Sequence, residues 1–375
     1  MKRIFLLFLI LTLLLAVSCA KDTPEDIPEV NEDIEAPVEP DLPDEPEIED
    51  EPVVNLPEEP ETDPTKTEIS LTTGLPCTPE TRSARPIAVM INNNKVSYPQ
   101  ESISKADIVY ECDMEGGVTR LMALFSDWSE LGNVGSMRSA RNYFIDLAMS
   151  HDAIYVHAGG SPSAYTSIAD SGIDNIDGVN MHTIPDDTFW RDKDRIRECG
   201  YEHSMLTSGE KLYTAVTKLK YRTEHKSSFS SGYSFKSEFS EPVGCKLAES
   251  ITLVHSNYIT VEFVYDVKAS RYLKRSFGAS HMDGSNGEQL AFENVVVLFV
   301  SEKVVDDEGR LDLDLIGNGK GYYLSGGKVL DVEWSRSLEG TLFTLTESGE
   351  TLTLNPGKTH ITLFNKNNSK NVIIK

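Results

Sequence analysis

The chain is short of basic residues. Its 35 lysines and arginines stand against 60 aspartates and glutamates, a net charge of -25. A protein that tracks a phosphate backbone needs basic patches, so nucleic acid is excluded as a partner. Cysteine is scarce as well, with 5 in 375 residues, and none shows the spacing of a metal site. No compact loop of oxygen ligands appears, so neither a metal nor another cofactor is expected. The phosphate-binding loop with its Lys-Ser/Thr, the full dinucleotide fingerprint and the G-x-S-x-G elbow are all missing. There is no internal repeat. The apolar run from Ile4 to Val17 spans about fourteen residues, where a bilayer span needs roughly twenty.

That run is the core of a signal peptide. Lys2 and Arg3 precede it, and Ala16-Val17-Ser18-Cys19 closes it in the manner of a bacterial lipobox. Cleavage before Cys19 and acylation of its thiol, palmitate being one such acyl group, would anchor an extracytoplasmic chain to the cell membrane. The next stretch, to about residue 66, is nearly all Pro, Glu and Asp and holds about nineteen acidic residues. It cannot bury enough apolar surface to fold, and it reads as an extended, disordered spacer. The organisation expected is a signal peptide (1–18), a lipidated Cys19 with its linker (19–68), an N-terminal α/β domain (69–228) and a C-terminal β-rich domain (229–375).

In the first of these domains apolar runs alternate with amphipathic ones. Residues 86–92, 106–114, 120–127 and 153–158 read as strands of a mixed sheet, and 139–152 and 208–219 as helices. From about Ile251 onward short strands follow one another between Gly, Asn and Asp, the rhythm of a sandwich or barrel.

Chemistry concentrates in "VYECDMEGGVTRLMALF". Glu111, Asp113 and Glu115 sit two apart, so on a strand they share one face, with Cys112 on the other. A two-residue hairpin turn at Gly116-Gly117 would set Asp113 opposite Arg120 and place Arg120 among the three acids. Three carboxylates on a half-buried strand need cations. Arg120, Arg138, Arg141 and Arg191 are the candidates. An equally plain reading leaves the face solvated, with ion pairs of little consequence.

The stretches "RPIAVMINNN", "ADIVYECDMEGGVTRLMALF", "GSMRSARNYFIDLA", "AIYVHAGGSP" and "FWRDKDR", with "VEFVYD", "RYLKR", "HMDGSNGEQLAFENVVVLF" and "LNPGKTHITLF" further on, resemble the YerB-like family of Gram-positive bacterial lipoproteins. The resemblance covers both halves. It implies a lipid-anchored, two-domain envelope protein built from a paired domain of unknown function, with no established activity. Its recurrent polar positions correspond here to Glu111, Glu115, Arg120, Arg138, Ser139, Arg141, His157 and Arg191. "YEHSMLTS" departs from the family's usual Pro-His-Asn stretch, with His203 roughly in place, and His360 stands where Trp is common.

The turn His157-Ala158-Gly159-Gly160-Ser161-Pro162 ends a strand and opens a helix. Free N–H groups there, near Arg138 and Arg141, would outline an anion site. As a lone histidine at a strand end, His157 more often serves structure than catalysis. Two functions remain. One is a binding or scaffold module whose polar cleft takes an anionic or carbohydrate ligand or an envelope protein. The other is a cell-wall hydrolase using Glu111 or Glu115 as acid or base. The first is favoured, because no nucleophile–base–orienter set can be read.

Overall fold

The computed structural model describes residues 63–229, 233–243 and 245–375. The leader, Cys19 and the acidic stretch to residue 62 lie outside the described residues. Numbering the longer elements in chain order, the first half supplies β1 (Ile87–Asn92), β2 (Ile108–Asp113) and β3 (Thr119–Phe125), every residue of which is buried. Continuous apolar runs of this kind belong to strands covered on both faces. Helix α1 (Asn142–Ser150), β4 (Ile154–His157), helix α2 (Pro162–Ser171) and β5 (Asn175–Asp177) follow. Strand β3 runs antiparallel between β1 and β2, while β4 and β5 add parallel to β1. Helix α3 (Gly209–Leu219) closes this half.

The second half contributes β6 (Ser250–Val254), β7 (Thr260–Asp266), β8 (Arg271–Ser276), β9 (Asn294–Val304), β10 (Gly317–Ser325), β11 (Lys328–Arg336), β12 (Thr359–Asn365) and β13 (Val372–Ile374). These strands form two layers, as a sandwich requires, but one layer is shared with the first half. Strand β12 lies parallel between β9 and β2, so a single sheet runs β11-β10-β9-β12-β2-β3-β1-β4-β5 across the whole described chain. A second, antiparallel sheet, β8-β7-β6-β13, covers one face of it. Val89, Val109, Leu121 and Val297 pack there against Leu253, Phe263 and Tyr272. On the other face Tyr110, Met122 and Leu124 pack with Phe144 and Leu147 of α1.

Two local readings change. The hairpin between β2 and β3 does not close in two residues at Gly116-Gly117. Met114 to Val118 bridge it, with a 3₁₀ turn over Glu115–Gly117, and Met114 N–H donates to Val118 O at 2.8 Å. The register pairs Asp113 with Thr119 and Cys112 with Arg120. Paired residues share a face, so Arg120 lies with Cys112, across the sheet from Glu111 and Asp113. Helix α1 starts later than Ser139, with Arg141 as its N-cap. The preceding residues are held extended: Arg138 N–H donates to Met90 O (3.0 Å) and Ala140 N–H to Gly159 O (2.9 Å). Helix α2 begins as its sequence suggests. Ser161 caps it by accepting from Ala164 N–H, Pro162 stands at its first position, and Gly172 ends it at φ +64°.

Candidate functional site

The one-residue difference in register divides the expected acid–arginine cluster into two groups on opposite faces of the main sheet.

The arginine group lies at the carboxyl ends of β1 and β4, where open parallel sheets commonly receive ligands. Arg120 is buried and donates from Nη1 to Ser139 O at 2.9 Å. Burial, and then the neighbouring charges of Arg141 and Arg138, push its guanidinium down to about 10. Arg141, at the N-cap of α1, donates to Ala140 O at 2.8 Å and forms an ion pair with Glu115 on the hairpin loop. Burial works to raise the Glu115 carboxyl, but the hydrogen bond and charge of Arg141 hold it below the usual carboxylate range. Arg138 pairs with Glu202 at 2.6 Å (Nη2 to Oε1). Its hydrogen bond and charge hold Glu202 low as well. Arg191 donates to Tyr201 O at 2.7 Å, and its guanidinium lies 4.3 Å from the centre of the Tyr201 ring. The Tyr201–His203 turn thus sits between Arg191 and Arg138, and His203 Nδ1 meets Asn92 Nδ2 at 2.7 Å. The Nε atoms of Arg138, Arg141 and Arg191 are buried and have no hydrogen-bond partner among the described residues.

The glycine turn beside them is already filled. Asp177 accepts from Gly159 N–H at 2.7 Å, from Val179 N–H at 2.9 Å and from Tyr165 Oη at 2.8 Å. Ser161 N–H donates to Ala140 O at 3.3 Å. His157 is wholly buried, with Nδ1 2.8 Å from Gly159 O and Nε2 3.2 Å from Asn175 Oδ1. The chain therefore supplies its own anion to the Gly159 N–H, and both ring nitrogens of His157 lie against acceptor oxygens of the chain itself. Gly160, bridged to Ala140, ties the turn to the Arg138–Arg141 segment. Ser139 takes part through its carbonyl oxygen.

Glu111 and Asp113 face the second sheet instead. Glu111 is fully buried, and Lys274 Nζ of β8 stands 2.9 Å from its Oε2. His360 Nε2 of β12 is 3.3 Å from the same oxygen. Oε1 accepts from Asn93 Nδ2 (3.0 Å) and Thr119 Oγ1 (2.6 Å). Burial alone would raise this carboxyl, yet Lys274 and His360 hold it well below the usual range. Asp113 Oδ1 meets His255 Nδ1 at 2.6 Å; burial opposes the charged imidazole, but Asp113 raises it above its ordinary value. His281 lies 4.5 Å from Tyr98, ring over ring, and 2.8 Å from Gln100 Oε1. The cations that Glu111 and Asp113 require thus come from the second half: Lys274 for Glu111 and His255 for Asp113, with His360 a neutral neighbour of Glu111. Sequence reasoning did not find Lys274 or His255, and met His281 only at the head of the "HMDGSNGEQ" stretch and His360 only as a departure. A signal existed in "RYLKRS": Tyr272, Lys274 and Ser276 alternate onto one buried face.

Two cavities lie beyond the arginine contacts, the second sharing Glu115 with them. One of about 690 Å³ is lined by Asp146, Asp170, Asp312, Asp314 and Glu339. Another of about 240 Å³ beneath the hairpin loop is lined by Asp113, Glu115, His255 and Glu302. Burial and the charge of Asp113 push the Glu302 carboxyl up to about 7. The four cysteines among the described residues, Cys77, Cys112, Cys199 and Cys245, are free thiols.

Comparison with known proteins fits this two-part architecture. The model described as "Protein of unknown function (DUF3048) N-terminal domain" matches residues 72–222, and its C-terminal counterpart matches residues 250–361. The chain belongs to the DUF3048 family. Within the family, a Bacillus subtilis protein named "Putative lipoprotein YerB" is 32% identical over 302 residues, which cover 78% of this chain and 84% of that one. The crystal structure of YerB protein from Bacillus subtilis superposes with a TM-score of 0.72 at 28% identity, covering 82% of this chain and 99% of the other. The DUF3048 halves correspond to the two contributions to the shared sheet. No helix among the described residues is long and apolar enough to cross a membrane.

Proposed function

We propose that this DUF3048 protein is a lipoprotein of the cell envelope, tethered through Cys19, whose N-terminal half binds an anionic ligand on Arg120, Arg138 and Arg141. The carrying observation is the buried Arg120 guanidinium, which donates to Ser139 O at 2.9 Å and is lowered by burial and then by the charges of Arg141 and Arg138. Glu115 and Glu202 pair with two of the three arginines and leave Arg120 to a backbone carbonyl. A buried cation without a carboxylate favours an anion from outside. The membrane half of the reading rests on the lipobox sequence and on the name of the relative from Bacillus subtilis.

The hydrolase reading is weaker on the same geometry. A general acid needs a carboxyl raised toward neutrality, whereas Glu111 and Glu115 are both held low. Glu111 is also sealed between the sheets. The test is titration of the full chain in detergent micelles with purified peptidoglycan fragments carrying free carboxylates. Saturable binding without turnover, lost in Arg138→Ala, supports the proposal. Turnover abolished by Glu115→Gln would overturn it.

A further inference from the structure

We infer that Glu202 is an internal stand-in for the ligand: its carboxylate occupies the position on Arg138 that a phosphate-type anion takes, and binding swings it aside. This rests on the anion-binding reading of the arginine face and adds to it the ligand class and the means of access.

The contact is lopsided. The Arg138 side chain is 19% exposed and that of Glu202 is 69% exposed, so the carboxylate lies over the guanidinium from the solvent side. Glu202 reaches it through one short contact, Oε1 to Nη2 at 2.6 Å, with its backbone oxygen 3.4 Å from Nη1. Nε, on the same edge of the guanidinium as Nη2, is buried and without a partner among the described residues. An arginine edge offers two parallel N–H donors, and the stand-in uses one of them. A phosphate group carries three acceptor oxygens. It can fill both donors of Arg138 and turn a third oxygen toward the Arg120 guanidinium, which the Glu202 carboxylate leaves on Ser139 O.

The turn that carries Glu202 is fixed on both sides of it. Tyr201 is held by Arg191 through the ring contact at 4.3 Å and the hydrogen bond at 2.7 Å, and His203 by Asn92 at 2.7 Å. Displacement therefore requires only a side-chain rotation of Glu202 into water, with no loop opening. An ion pair whose carboxylate stands in solvent and makes one short contact contributes little and yields to a better acceptor.

The probe is inorganic phosphate, titrated calorimetrically into the full chain in detergent micelles, with acetate for comparison. Glu202→Gln is expected to bind phosphate about threefold tighter than the wild type, the gain from losing a weak internal competitor. Acetate should bind more weakly than phosphate to both. Arg138→Ala is expected to lose phosphate binding in either background. Equal or weaker phosphate binding by Glu202→Gln, with wild-type binding still abolished by Arg138→Ala, overturns the stand-in and leaves the anion site intact. No phosphate binding by either the wild type or Glu202→Gln overturns both. Because Glu202 is exposed, its replacement should leave the thermal unfolding midpoint near that of the wild type, and Glu202→Ala gives a second version of the same comparison.

Discussion

Lys274 and Glu111 meet at 2.9 Å with neither side chain exposed to solvent. One comes from the second sheet and the other from β2, the first-half strand that pairs with β12 in the shared sheet, so this ion pair clamps the two layers. A buried pair is no better than well-packed apolar side chains of the same volume, but half of one is costly. Lys274→Met leaves Glu111 ionised in the interior and is expected to destabilise the fold by about 3–5 kcal/mol. Adding Glu111→Gln should restore most of that loss. Urea unfolding of the wild type and the two variants checks it, and a single-variant loss under about 1 kcal/mol would mean that the carboxylate finds another cation.

The same interior gives a pH dependence with a definite sign. His360 is pushed down to about 4, first by burial and then by Lys274, against the pull of Glu111. In the unfolded chain it protonates at its ordinary value near 6.5. A histidine with a lowered folded value binds more protons when unfolded across that interval, so its contribution is full above about 6.5 and is lost as the pH falls toward 4. Glu302, raised to about 7, and His255, also raised, act in the opposite sense. The difference between His360→Phe and the wild type therefore reads the effect cleanly. The variant is expected to gain about 2 kcal/mol on the wild type between pH 7.5 and pH 5. A difference that stays level across that range would show that His360 does not titrate on unfolding.

The strand segments were legible because runs such as "IAVMIN" and "IVYECD" are apolar throughout and bounded by turn residues. The capping of α2 by Ser161 and Pro162 is equally local, whereas Ser208, read as the first residue of its helix, is the cap of α3. The site was legible in its residue types and not in its arrangement. Reading the hairpin as a two-residue turn moved Arg120 to the wrong face, because strand side chains alternate and a slip of one inverts them all. The Gly-Gly pair invites that reading, and nothing local reveals the longer bridge from Met114 to Val118. The partners of Glu111 lie far along the chain, and the parallel pairing of β12 with β2 has no local signature. Glu202 escaped notice for another reason: it belongs to the stretch where this chain departs from the family pattern.

Gly209 separates helix propensity from packing. As the first residue of α3 after its Ser208 cap, it could gain from alanine by propensity alone. A Cβ there would stand 2.2 Å from Trp128 O and 2.6 Å from Ser129 O, both backbone atoms that cannot swing away. Gly209→Ala is expected to cost roughly 1–3 kcal/mol or more. Gly172→Ala, at the end of α2, meets nothing within 4 Å and bears only the strain of φ +64°, about 1 kcal/mol. Thermal unfolding should rank Gly209→Ala below Gly172→Ala, and the reverse order would mean that the Trp128–Leu131 segment gives way easily.

Asp177 decides what the glycine turn is for. Its carboxylate accepts two backbone N–H groups and the Tyr165 hydroxyl, which tie β5, α2 and the turn after β4 together. Burial pushes the Asp177 carboxyl up, but the neighbouring His157 and then these charge-assisted bonds hold it below the usual range. Asp177→Asn keeps the shape, presents an amide N–H toward one of these donors and is expected to cost about 1–3 kcal/mol in urea unfolding. On the proposed reading, with the anion held by the guanidinium groups, phosphate affinity should be the same as in the wild type, because the turn's Gly159 N–H is satisfied from within. Loss of phosphate binding in a folded Asp177→Asn would assign the turn to the ligand after all and move the site from the arginines to the start of α2.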